Sequence, residues 1–273
     1  MKTYTVTGGG GLKLRVDETG NPNGRPLLFI HGFSQCRLSW NKQLHSDLEK
    51  DFRVVAMDIR GHGLSEKPRD VYGDSKLWAD DIHAVITTLG LDQPVLSGWS
   101  YGGAIISDYV NFYGEGHIAG TNWVGAVSRL GDPLVQAGFI GADFLATAPG
   151  SFSENIEESV ASLQKFLRLC VHAEPAPEDF YFFLGYNVIV PPYVRLGLFS
   201  RHLDNDPVIE RMRKPMLLSY GEQDAIVLLS MGHHIAGLAK QARLSVYPQV
   251  GHAPFWEAPE RFNRELREFR EAV

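Results

Sequence analysis

The stretch that most constrains this 273-residue chain is 97–103, Ser97-Gly98-Trp99-Ser100-Tyr101-Gly102-Gly103. The apolar run Pro94-Val95-Leu96 leads in like a buried strand, and residues 104–110 continue with helical spacing. A serine flanked by glycines at i−2 and i+2, set at a strand-to-helix junction, is the G-x-S-x-G elbow pattern. The glycines have a steric reason to be there, since a Cβ at Gly98 or Gly102 would collide with the neighbouring strand or helix backbone. Such a turn lifts the Ser100 hydroxyl above the sheet edge at a helix N-terminus. There the free N–H of Tyr101 and the helix dipole favour a developing oxyanion.

An activated serine needs a base, an orienting acid and a second oxyanion donor, each at a definable place in the chain. Pro26-Leu27-Leu28-Phe29-Ile30 reads as a strand buried on both faces, ending in His31-Gly32-Phe33-Ser34. A His-Gly pair closing an inner strand suits the second donor, the N–H of Phe33, with Gly32 allowing close backbone approach. His252 is the best base among the ten histidines. It follows the last strand, 243–247, in a loop fixed by Gly251 and Pro254, and the chain order Ser, Asp, His puts the base late. That order leaves His31 a structural hydrogen-bonding residue. Asp224 is the favoured acid, after the strand 215–220; Glu222 is the local competitor and Asp132 a more distant one.

Composition excludes several function classes. With 44% hydrophobic and 21% charged residues and a net charge of −6, the chain reads as an ordinary globular protein. Lys and Arg form no basic stripe, which argues against nucleic acid or an anionic membrane as partner. No apolar run approaches the ~20 residues of a membrane span, and residues 1–6 lack the apolar core of a secretory signal. Cys36 and Cys170 have neither metal-ligand nor disulfide spacing, so both read as reduced thiols in a cytoplasmic protein. Cys36, close to His31, is a candidate to line the site but reads better as a packed side chain.

Strands alternate with helices along most of the chain. Residues 3–7 and 12–19 form a first strand pair joined by Gly8-Gly9-Gly10-Gly11, read as a flexible hairpin tip because no Lys-Ser/Thr follows to make a phosphate loop. An amphipathic helix is expected over 38–50, a strand over 52–57, a helix over 74–89, a strand over 118–127, and helices over 226–240 and 259–269. Asp80, Asp81 and His83 fall on the 74–89 helix, where adjacent carboxylates point to different faces and favour packing over metal binding. The pattern implies a mostly parallel, doubly wound α/β sheet with ligands at the carboxyl ends of the strands. Ser100, Asp224 and His252 all lie just past strand ends and can converge there.

With His31-Gly32-Phe33-Ser34, then Asp58-Ile59-Arg60-Gly61-His62-Gly63-Leu64-Ser65, then the elbow, three motifs stand in order, and the chain resembles the α/β-hydrolase fold family. The resemblance implies that Asp58 and Arg60 tie down an architectural loop and that His62 stays outside the chemistry. It also favours Asp224, the last residue of G-x-x-D, as the acid. Residues 129–212 interrupt the alternation with helical, aromatic-rich segments, 134–145 and 156–170 among them, where family members carry a helical cap. The core is then 1–128 and 213–273, with the cap at 129–212. Its aromatic residues read mainly as packing, with Trp99, Phe33, Phe182 and Tyr186 as candidates to line a substrate pocket.

The expected chemistry is a serine carboxylesterase acting on small to medium esters through an acyl-enzyme on Ser100, with no cofactor and no metal. Relatives that put Asp at the elbow, haloalkane dehalogenases and epoxide hydrolases, are a poor match. Three alternatives stay open. One is a cofactor-free perhydrolase or haloperoxidase using the same triad. Another is a C–C bond hydrolase of ring-cleavage diketones, for which Arg129, Arg168 and Arg195 would have to bind a substrate carboxylate. The third is a non-catalytic ligand receptor. Self-association is also left open by the sequence.

Overall fold

The computed structural model describes residues 1–132 and 138–273. Ten strands form in chain order: β1 (Lys2–Thr7), β2 (Lys13–Gly20), β3 (Arg25–Ile30), β4 (Phe52–Met57), β5 (Val95–Trp99), β6 (Gly120–Val124), β7 (Arg129–Leu130), β8 (Leu203–Asp204), β9 (Met216–Gly221) and β10 (Ala242–Tyr247). Eight of them make one sheet in the order β1-β2-β4-β3-β5-β6-β9-β10, and β7 pairs separately with β8. The β1–β2 and β2–β4 pairs are antiparallel; from β4 to β10 every neighbour is parallel. The inner strands β3, from Pro26 on, and β5 are largely apolar and buried on both faces, as a sheet covered by helices on each side requires.

The order of the inner strands positions the site. The chain passes from β3 outward to β4 on one side and then crosses to β5 on the other. The carboxyl ends of β3 and β5 therefore flank the crevice where strand order reverses, the usual ligand position in an open α/β sheet. His31-Gly32-Phe33 leaves one side of that crevice and Ser100 leaves the other.

The helix Ser75–Leu89 follows its sequence signals: Asp74 accepts from the Lys76 N–H at 2.8 Å, and Gly90 closes the helix with φ +57°. Asp81 turns its carboxylate inward onto Arg60, at 2.7 and 2.8 Å, while Asp80 pairs with Lys76 and Tyr113 on the surface. Asp58 accepts from the Arg37 guanidinium and from the backbone of Arg37 and Leu64, each at 2.8 Å, so the 58–65 loop is tied down as expected.

Two expectations are corrected. The anticipated helix over 38–50 is three short pieces, Arg37–Trp40, Asn41–Leu44 and Asp47–Lys50. Ser46 breaks it by donating to the Gln43 carbonyl and accepting from the Leu48 N–H, a local bond set that competes with helix propagation. The glycine turn at 8–11 is not a free hairpin tip. Gly9 donates to Asp81, and its carbonyl accepts from Arg60, so the turn is fastened to the buried ion pair.

Between β6 and β9 lie the helices Ala142–Thr147, Ile156–Leu169, Pro177–Val188, Pro192–Phe199 and Asp206–Arg211. The helix expected around 134–145 falls partly on 133–137, outside the described residues. Phe144, Phe166 and Phe199 from this segment surround Phe33 with ring centroids 5.9–6.4 Å away, which brings these helices over the carboxyl edge of the sheet. Arg201, buried just beyond them, pairs with buried Asp108 at 2.8 Å and donates to the Tyr101 hydroxyl at 3.1 Å. No single helix among the described residues is long and apolar enough to cross a membrane.

Candidate active site

Ser100 sits at φ +55°, ψ −116°, a conformation costly for any residue with a Cβ. Three hydrogen bonds hold it there. Its N–H donates to Val124 at 2.8 Å, and its carbonyl accepts from Gly103 and Val127 at 3.0 and 3.1 Å. The flanking glycines are there for the steric reason expected. A Cβ at Gly98 would lie 2.7 Å from the Gly102 carbonyl carbon, and one at Gly102 would lie 2.5 Å from the Ile30 oxygen. Tyr101 opens the 13-residue helix Tyr101–Tyr113, so its N–H belongs to the first turn, which has no intrahelical acceptor. A Cβ on Gly32 would meet the Ser100 Cβ at 2.9 Å, which shows how closely the loop after β3 passes the serine.

His252 and Asp224 meet across the ends of β10 and β9. The His252 Nδ1 bonds the Asp224 Oδ2 at 2.7 Å, with both residues at least 95% buried. The other carboxylate oxygen accepts from the N–H groups of Ile226 and Val227 at 2.8 and 2.9 Å, which fixes the plane of the acid. Glu222 and Asp132 are exposed, and Glu222 bonds its neighbour Gln223, so Asp224 is the carboxylate the fold brings to the histidine. The His252 loop is held from two sides. The Trp99 indole donates to the His252 carbonyl at 2.8 Å, and the Glu257 carboxylate accepts from Gly251 and His172 at 2.8 and 2.7 Å.

Ser100 and His252 open on one narrow cavity, walled by Phe33, Phe144 and Phe166 among others. A second, smaller apolar cavity adjoins it and shares Gln35 and Trp99. Trp99 and Phe33 line the first cavity, and Tyr186 lines the second. Phe182 lines neither. It is half-buried beside Trp256, and the next helix position, Phe183, faces the second cavity instead. The three arginines considered for a substrate carboxylate are likewise elsewhere. Arg129 reaches Asp204 and Asp206, Arg168 pairs with Glu174, and Arg195 is buried against the carbonyls of Ser151 and Val190.

The remaining titratable groups are structural. Burial pushes the His31 imidazole down to about 3, and His62 falls well below its ordinary value for the same reason, with His31 adding to it. Each neutral ring accepts a backbone N–H through Nε2, His31 from Ile59 and His62 from Ser34. Burial raises the Cys36 thiol to about 12 and the Cys170 thiol well above its ordinary value, so neither supplies a thiolate nucleophile at neutral pH. Cys36 lines neither cavity. Among the described residues no three His, Cys, Asp or Glu side chains are grouped to hold a metal ion.

A family model for the alpha/beta hydrolase fold matches residues 25–259. The chain belongs to the α/β-hydrolase fold family. An X-ray structure of a Burkholderia cenocepacia protein superposes with a TM-score of 0.94 at 36% identity, covering 99% of this chain and 98% of that one. The esterase RhEst1 from Rhodococcus sp. ECU1013 gives a TM-score of 0.93 at 33% identity over 100% of both chains. The bifunctional esterase/perhydrolase DCH of Acinetobacter calcoaceticus is 27% identical, covering 91% of this chain and 92% of its own.

Three residues of this α/β-hydrolase site escaped the sequence reading. Gly125, just after β6 at φ +46°, leaves room for the acid–base pair. A Cβ there would lie 2.9 Å from the His252 Nδ1 and 3.1 Å from the Asp224 Oδ2. Its signal was a glycine directly after a buried strand. Glu257, in the turn after Pro254, clamps the histidine loop. Gln35, two residues beyond Phe33, lines both cavities.

Proposed function

We propose that this α/β hydrolase is a serine carboxylesterase that cleaves small to medium, uncharged esters through an acyl-enzyme on Ser100. The observation that carries the reading is the strained serine opening on the same apolar cavity as a buried His–Asp pair. His252, its Nδ1–H held by Asp224, takes the Ser100 proton through Nε2 as the hydroxyl oxygen attacks the ester carbonyl. The N–H groups of Phe33 and Tyr101 receive the oxyanion, an effect typically worth about 3–4 kcal/mol per donor. The alcohol leaves with the proton from His252. Water then gives its proton to the same ring, attacks the acyl-enzyme, and releases the acid and the free serine.

Substrate size and charge follow from the walls. Among the described residues the lining of both cavities contains no lysine or arginine, which favours neutral acyl groups over carboxylate-bearing diketones. In this reading residues 129–212 form a cap over the core of 1–128 and 213–273, and the cap's phenylalanines set acyl length. Two buried free thiols suit a reducing compartment such as the cytoplasm. A second reading, perhydrolysis on the same triad, is supported by the relative named as a bifunctional esterase/perhydrolase. It differs only in whether peroxide or water deacylates the serine.

The test is labelling with a fluorophosphonate probe and turnover of p-nitrophenyl esters from acetate to decanoate, for wild type and Ser100→Ala. Labelling confined to wild type, with turnover peaking at short chains, is expected. Ser100→Ala retaining most of the activity would refute the nucleophile. Absence of labelling in wild type would favour a receptor. The ratio of peracid to acid formed in added peroxide separates the two enzymatic readings.

A further inference from the structure

Gln35 stands out among the polar side chains around the two cavities. It is 2% exposed, it lines both spaces, and its side-chain Nε2 is buried with no hydrogen-bond partner among the described residues. A buried amide N–H without an acceptor is rare in folded proteins and calls for an explanation.

Other polar groups on the walls of the two cavities are engaged. Trp99 donates to the His252 carbonyl. Ser39 donates to the Cys36 carbonyl. The Tyr101 hydroxyl donates to Leu198 and accepts from Arg201. Gln35 itself is held in register, because its backbone N–H donates to the Gly32 carbonyl at 3.3 Å in the turn that presents Phe33. The amide therefore sits on a fixed loop, two residues from the expected oxyanion donor, at the join of two hydrocarbon-walled spaces.

We propose that Gln35 determines specificity by donating a hydrogen bond to a second acceptor oxygen of the substrate. This rests on the ester-hydrolase reading and narrows its substrate class. The preferred esters carry an alkoxy or oxo oxygen a few bonds from the scissile carbonyl, with apolar arms on either side for the two cavities. A site with a buried donor discriminates against analogues that leave it unpaired more sharply than an apolar wall discriminates by size.

The experiment compares matched p-nitrophenyl and alkyl esters in which one methylene is replaced by oxygen, position by position along the acyl and alcohol arms. Methoxyacetate against butanoate, and 2-methoxyethyl against butyl, are two such pairs. The quantity read is the oxygen-over-methylene ratio of kcat/KM, in wild type, Gln35→Leu and Gln35→Met. Comparing that ratio between enzymes cancels the intrinsic reactivity of each ester. At one position the ratio should fall by about 10–100-fold in both variants, while fluorophosphonate labelling of Ser100 persists.

Equal ratios in wild type and variants at every position would overturn the proposal, since a water bound to the amide would serve all esters alike. A loss of turnover and labelling together in folded variants would also overturn it, making Gln35 a support for the oxyanion loop. Failure of wild type to turn over any ester in the panel would instead refute the esterase reading beneath it.

Discussion

The strain at Ser100 predicts an unusual result: replacing the proposed nucleophile by glycine should stabilise the protein relative to replacing it by alanine. At φ +55°, ψ −116° the Cβ of either serine or alanine is in conflict with its own backbone, at a cost of about 1–3 kcal/mol. Glycine escapes that conflict but forfeits about 0.5–1 kcal/mol through the greater freedom of its unfolded chain. The balance favours Ser100→Gly over Ser100→Ala by about 1 kcal/mol, equivalent to roughly 2–4 °C in Tm for a chain of this size. Both variants lack the hydroxyl, so any lost hydrogen bond cancels in the comparison. Calorimetry or urea unfolding of the two proteins decides the matter, with fluorophosphonate labelling absent in both. At an unstrained turn the order would reverse, with the glycine variant weaker by about 0.5–1 kcal/mol. That order would refute the claim that the elbow stores strain.

Gly125→Ala should lower kcat by about 100-fold or more by displacing the His252–Asp224 pair, whose atoms lie 2.9 and 3.1 Å from the added methyl; steady-state turnover near the wild-type rate would show the pair tolerates it. Acid should destabilise the fold well before its carboxylates titrate. The unfolded chain protonates His31 and His62 near the ordinary value of 6.5, whereas the folded protein leaves both neutral far below it, His31 down to about 3. Their contribution is therefore largest above about pH 6.5 and shrinks as pH falls, by about 2 kcal/mol for His31 between pH 7 and pH 5, with His62 acting in the same direction. Urea unfolding at those two pH values checks this, and equal free energies would contradict it.

The elbow turn at Ser100, the pairing of Asp224 with His252 past two strand ends, and the parallel sheet were legible because they rest largely on local rules. Gly98 is demanded by a backbone contact four residues away, the G-x-S-x-G spacing marks Gly102 with it, and buried parallel strands announce themselves as largely apolar runs. What stayed hidden depends on contacts between distant segments. The role of Gly125 exists only because His252 and Asp224 arrive beside it, and Glu257 matters only because Gly251 and His172 both turn their N–H groups to it. Phe182 and Phe183 are indistinguishable in the sequence, and packing against Trp256 decides the phase of their helix. The helix expected over 38–50 failed where Ser46 found better local partners than a continuing helix offered.

The same distant contacts decide how rigid the site is. Two of the ties that fasten the segment between β6 and β9 to the rest of the molecule end on elements of the site. Arg201 joins Asp108 to the hydroxyl of Tyr101, whose N–H is the proposed oxyanion donor. Glu257 joins His172 to Gly251, the residue before the proposed base. Burial raises the Asp108 carboxyl despite the arginine beside it, so separating that pair would leave a buried charge uncompensated, a change that usually costs about 3–5 kcal/mol. Lifting the covering helices would therefore disturb the oxyanion turn and the histidine loop together. A cavity held in this way selects by preformed shape and by the few polar atoms on its walls, and this gives an unpaired amide at its centre its weight in choosing the substrate.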